Sequence, residues 1–165
     1  MKHLQRTLFR ATTPYWIDSS LVRQEAARLG GRFNRPGRAA LYMSFDPITA
    51  LDEARVLGGP RGLELFAIDV DTAPVFDARD DIQLSRYGAC LSDLADRAWA
   101  MAMYRDGMSP TQIFSERVIE AGYSAMIIPS FVASSRIDGI NLVVWSCDIV
   151  QTEHYRFEME AWDKH

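Results

Sequence analysis

GGRFNRPGRAALYMSFDPITALDEA, residues 30–54, fits a helix stop, a turn, a short strand and a new helix into one run. Gly30 and Gly31 close DSSLVRQEAARL, whose Asp or Ser cap and apolar Leu21, Val22, Ala26 and Leu29 at helical spacing read as a helix. Asn34-Arg35-Pro36-Gly37 reads as a turn and ALYMS, residues 40–44, as a strand. Asp46 then stands as an N-cap with Pro47 at the first helical position. In the helix that follows, Ala50, Leu51, Ala54 and Leu57 form one apolar stripe. Glu53 falls at the edge of that stripe, whereas Asp52 points away and reads as a surface acid. A half-buried Glu53 needs a partner. Either an arginine supplies it in a structural salt bridge, or the acid faces a cleft.

Working outward, TLFRA (7–11) reads as a short strand and LELFAIDVD (63–71) as another, with Phe66, Ile68 and Val70 on one face. Residues 75–90 look polar and irregular. SDLADRAWAMAMYRDG and SPTQIFSERVIEAG read as two helices, each with a Ser cap and a Gly stop. SAMIIPS (124–130) and INLVVWSCDIV (140–150) read as strands joined by FVASSRIDG, and the tail from 151 is ambiguous. Strands and helices mix without regular alternation, which predicts an α+β fold with a mostly β core. At 165 residues one domain is expected, with 151–165 a peripheral tail.

Composition removes several classes of function. Apolar residues make up 48% and charged residues 24%, as in ordinary globular proteins. No apolar run approaches the roughly 20 residues that span a bilayer, and MKHLQRTLFRATT interrupts its apolar residues with Gln5, Arg6 and Arg10. A cytoplasmic protein without a signal peptide or membrane contact is expected. Cys90 and Cys147 lack CxxC spacing and read as reduced, partly buried thiols. His3, His154 and His165 fall near the chain ends, so neither a histidine metal site nor a histidine-based triad is expected. The net charge of −4 argues against a sequence-independent grip on nucleic acid. Lys2 and Lys164 are the only lysines; the arginine-rich balance suits phosphate recognition, and equally reflects a GC-rich genome.

Neither GxGxxG after a strand nor GxxxxGK[ST] occurs, so a nucleotide would need another phosphate grip. Arg10, Arg32 and Arg35 are the candidates. Arg32 follows two glycines that either admit a ligand to the backbone or merely end a helix. Ser130, after Pro129 at the end of an apolar strand, is either a turn residue capping backbone groups or a hydrogen-bonding orienter. No histidine is placed to make it a nucleophile, and GxSxG is absent.

LFRAT, GGRFNRPGRAALYMSFDPITALDEA and AGYSAMIIPSFVASSRIDGINLVVW together resemble the RES family, the toxin components of bacterial toxin–antitoxin pairs, named for an arginine, a glutamate and a serine. They follow the family order G-G-R-W-N-x-x-G, a Y-x-S strand, an acid on the next helix, P-S and an N-L-V strand. The resemblance implies an ADP-ribosyltransferase-like fold, with a mostly antiparallel β core flanked by helices. It implies an activity that consumes NAD as substrate, with no bound prosthetic group, and inorganic phosphate as a co-substrate in the phosphorolytic case. Carried over position by position, Arg32, Glu53 and Ser130 are the catalytic residues, and Arg10 and Tyr42 join them in binding NAD. Phe33 replaces the usual tryptophan and is expected to keep an aromatic wall. Arg35 then reads as an exposed turn residue.

These residue types suit the chemistry. Two arginines are bidentate clamps for a pyrophosphate. Nicotinamide leaves a pyridinium as a neutral molecule, so a general acid is dispensable, whereas the oxocarbenium-like sugar calls for a carboxylate. The resemblance leaves phosphorolysis, hydrolysis and ADP-ribosylation of a protein open; a ribonuclease or a non-catalytic binding module is the reading from another class. It also implies an Xre-type helix-turn-helix antitoxin that blocks the active site, with DNA reached only through that partner.

Overall fold

The computed structural model describes residues 2–12, 19–56, 63–132, 138–146 and 149–153. The side chains of Leu21 and Val22, together with Leu57, Cys147, most of the loop FVASSRIDG and residues 154–165, lie outside the described set.

Six strands form one sheet: β1 (Lys2–Thr12), β2 (Leu41–Ser44), β3 (Glu64–Asp77), β4 (Ala125–Pro129), β5 (Ile140–Val144) and β6 (Ile149–Glu153). Their order is β1-β2-β5-β4-β3-β6, and β1 also pairs with β3, so five strands close into a ring with β6 on the outside of β3. Every pairing is antiparallel except β3 with β4. The helices are α1 (Ser19–Leu29), α2 (Pro47–Val56), α3 (Asp81–Arg86), α4 (Leu91–Leu94), α5 (Trp99–Asp106) and α6 (Pro110–Glu120).

Alternation along the strands divides the apolar residues between two cores. Leu41 and Met43 of β2, Phe66, Ile68 and Val70 of β3, Ile127 of β4 and Leu142 of β5 fill the first. Met126, Ile128 and Val143 point the other way and pack with Phe33, Phe114 and Trp145 beneath the later helices. Phe76 anchors this second core, with edge-on contacts to Tyr87, Tyr123 and Phe114 at ring-centroid distances of 5.2, 5.3 and 5.8 Å.

The structure revises several sequence expectations. β1 begins at Lys2 because it pairs with β3 along nearly its whole length. β3 runs past Pro74 to Asp77: Val75 and Phe76, inside the stretch expected to be irregular, are 1% and 0% exposed, and Asp77 pairs with Ile127. Asp80 then starts α3 by accepting the Ile82 and Gln83 amides. The helix expected over SDLADRAWAMAMYRDG is split into α4 and α5, and the Asp96 side chain restarts it by accepting the Ala98 amide at 2.9 Å. INLVVWSCDIV likewise divides into β5 and β6, which places 151–153 in the sheet. Cys90 is exposed rather than partly buried. None of the described helices is long and apolar enough to cross a membrane.

Candidate active site

Sheet register assembles the site. Ser44, at the end of β2, lies opposite both Phe9 of β1 and Asn141 of β5; Asn141 in turn faces Ile128 of β4, two residues before Ser130. Arg10, Ser44, Asn141 and Ser130 therefore sit at neighbouring levels of four strands. α2 packs over this region because Asp46 caps it, accepting the Thr49 amide and hydroxyl, and because Ala50 packs with Ala11 and Leu65. That docking brings Glu53 over the strand ends.

Glu53 is half-buried, as its place on the stripe predicts, but no arginine among the described residues is its hydrogen-bond partner. Its Oε1 accepts from the Ser130 hydroxyl at 2.6 Å and from Asn141 Nδ2 at 2.5 Å. Asn141 Oδ1 accepts from the Ser44 hydroxyl at 2.7 Å. Among the described residues Glu53 Oε2 has no hydrogen-bond partner. Gly139 lets α2 and Ser130 approach, because a Cβ there would lie 3.0 Å from Thr49 Oγ1 and 3.1 Å from Ser130 Cβ. Asp52 is not a free surface acid; its side chain is 20% exposed, 3.9 Å from Arg55.

Arg32 is held from the split helix. Its Nη1 donates to the carbonyls of Leu94 and Asp96 at 3.0 and 2.6 Å, and its guanidinium carbon lies 5.3 Å from the centre of the Phe131 ring. Burial lowers its pKa, opposed by the negative charges of Glu53 and then Asp96, so Arg32 and Glu53 share one electrostatic field. Phe131, next to Ser130, is the aromatic beside that arginine; Phe33 is 1% exposed in the second core and forms no wall.

Gly30, at φ +76°, ends α1, and what approaches Gly31 is protein: a Cβ there would lie 2.6 Å from Asn34 Oδ1 and 2.8 Å from the Tyr42 hydroxyl. That hydroxyl donates to Asn34 Oδ1 at 2.6 Å and accepts the Phe33 amide at 3.1 Å. Gln112 of α6 seals the turn from below, its Nε2 donating to the Gly31 carbonyl at 2.8 Å. Tyr42 thus latches the segment that carries Arg32. Burial pushes the Tyr42 pKa well above the usual tyrosine range, so the hydroxyl keeps its proton. Arg35 turns aside, its Nε 3.4 Å from Glu116 Oε2.

Arg10 donates from Nη1 to the Tyr42 carbonyl at 2.8 Å, while its Nε is enclosed without a partner. Burial pushes its pKa down to about 10, which leaves it cationic at neutral pH. A cation with an enclosed donor left unsatisfied suits an anionic ligand more than a purely structural bond. Among the described residues no cluster of three or more His, Cys, Asp or Glu is placed to hold a metal.

Asn141, Ser44 and Phe131 escaped sequence reasoning as site residues. The signal for Asn141 was a polar residue at the second position of an otherwise apolar strand.

No curated protein matches the sequence. The crystal structure of the M. tuberculosis MbcT–MbcA toxin–antitoxin complex contains a similar fold, in the MbcT toxin: the TM-score is 0.65 at 18% identity, over 93% of this chain and 86% of that one. The RES domain family matches residues 7–163, and the chain belongs to that family.

Proposed function

We propose that this chain is the toxin of a toxin–antitoxin pair and that it cleaves the bond between nicotinamide and ribose in NAD, transferring the ADP-ribosyl group to phosphate or water. Family membership and the likeness to MbcT support the toxin role. The observation that carries the chemistry is Glu53, a carboxylate whose one oxygen is fixed by Ser130 and Asn141 while the other has no hydrogen-bond partner among the described residues. In this reading Arg10 and Arg32 bind the pyrophosphate, Glu53 stabilises the cationic sugar as nicotinamide leaves, and Ser130 orients the carboxylate. Departure of a neutral nicotinamide needs no proton donor, which suits a site with no histidine among its described residues. An ADP-ribosyltransferase-like fold, a single domain over 1–165, a cytoplasmic setting and an Xre-type antitoxin covering the site belong to the same proposal.

Incubation of the purified protein with NAD tests it, with products identified by mass spectrometry in the presence and absence of phosphate. Nicotinamide should appear, with ADP-ribose-1″-phosphate marking phosphorolysis, ADP-ribose hydrolysis and a protein adduct transfer to a protein. Arg32→Ala and Glu53→Ala should each lower the rate by about a hundredfold or more, as removal of a transition-state charge does. NAD left intact by the wild-type chain, or consumed equally well by both variants, would refute the assignment.

A further inference from the structure

Ser44 lies behind the site and does not touch Glu53, yet it ends a chain of bonds that leads there. Asn141 has two chemically different faces, an oxygen and an amino group, and the bonds available to it decide which way it turns. Against the Glu53 carboxylate only the amino group fits, at 2.5 Å; the oxygen there would oppose another acceptor. Asn141 Oδ1 must then face Ser44, which is 3% exposed and donates its hydroxyl hydrogen at 2.7 Å. Remove that donor and Oδ1 becomes a buried acceptor with nothing to accept; a simple flip would set it against Glu53, so the side chain is driven off its present rotamer instead.

We propose that Ser44 is a positioning residue: its hydroxyl sets the orientation of the Asn141 amide, and through it the orientation of Glu53. Two donors, from Ser130 and Asn141, converge on Oε1, so the carboxylate is pinned through one oxygen and presents the other. With Asn141 turned, Ser130 alone holds Oε1 and the carboxylate swings about that single bond. The bond chain joins β2, β5 and α2, elements 97 and 88 residues apart at the two contacts, so it also fixes the helix to the sheet at the site itself.

The test has two arms. The first is structural: in 15N-labelled protein, the Asn141 side-chain amide should show one strongly hydrogen-bonded proton in the wild-type chain, lost in Ser44→Ala and retained in part in Ser44→Cys, whose thiol is a weaker donor. An unchanged Asn141 amide in folded Ser44→Ala or Ser44→Cys overturns the inference whatever the protein does to NAD. The second arm rests on the NAD-cleavage reading. Ser44→Ala should lower kcat for nicotinamide release about tenfold with little change in KM, since orientation of the carboxylate matters as the bond breaks. In an Asn141→Ala background the same substitution should have no further effect, because the route from Ser44 to Glu53 is already cut. Equal losses in both backgrounds overturn the inference, whereas a wild-type chain that releases no nicotinamide refutes the activity and leaves the amide signal to decide the role of Ser44.

Discussion

Tyr42→Phe removes one oxygen and leaves the ring, so it isolates the latch from the packing around it. Two groups lose their partner together. Asn34 Oδ1, on a residue with 0% exposure, loses the donor at 2.6 Å, and the amide of Phe33, on a residue with 1% exposure, loses the acceptor at 3.1 Å. An orphaned buried group costs about 1–3 kcal/mol, so the pair should lower stability by about 2–6 kcal/mol. For a chain of this length about 1 kcal/mol corresponds to about 2–4 °C, and the melting midpoint should fall by about 4–24 °C. Thermal unfolding followed by circular dichroism measures this, with Tyr104→Phe as a control because Tyr104 is 84% exposed and should not respond. If the hydroxyl instead belongs to a substrate contact, Tyr42→Phe will melt with the wild type and raise KM for NAD. That result would refute the latch.

Gly139→Ala should reach the site through sterics alone, since its Cβ would crowd Thr49 and Ser130. Overpacking of this kind costs about 1–3 kcal/mol, and because Ser130 is one of the two bodies that must yield, nicotinamide release should fall as well; unchanged kinetics would mean that α2 gives way instead. Asp77 supplies a pH test. Burial raises its pKa, but Arg79 and Lys2 outweigh burial and hold the carboxyl well below its usual range. A depressed carboxylate adds stability above its unfolded pKa of about 4 that is lost as pH falls below it. Urea midpoints should therefore converge between wild type and Asp77→Asn as pH drops below about 4, and a constant gap would exclude Asp77 as the group responsible.

Local chemistry made much of this chain legible. Asp46-Pro47 starts a helix where caps and proline say it should, and the half-burial of Glu53 follows from its angle to Ala50 and Ala54. What stayed hidden depends on register. Ser44 and Asn141 meet only because β2 and β5 pair in one alignment, and nothing within either segment states that alignment. The break between α4 and α5 was masked by alanine and methionine, good helix formers, while the acids that interrupt it looked like ordinary solvated charges. Pro74 hid the rest of β3 for the opposite reason, because proline usually ends a strand.

That helix break has an electrical consequence. Had a carboxylate gripped Arg32, the pair would look neutral from a few ångströms away. The Leu94 and Asp96 carbonyls hold the guanidinium through dipoles, which fix its direction without cancelling its charge. Arg32 is thus aimed and only partly offset by the charges of Glu53 and Asp96, a fixed pole whose attraction for an incoming anion fades slowly with distance in the low-polarity surroundings of a half-buried site.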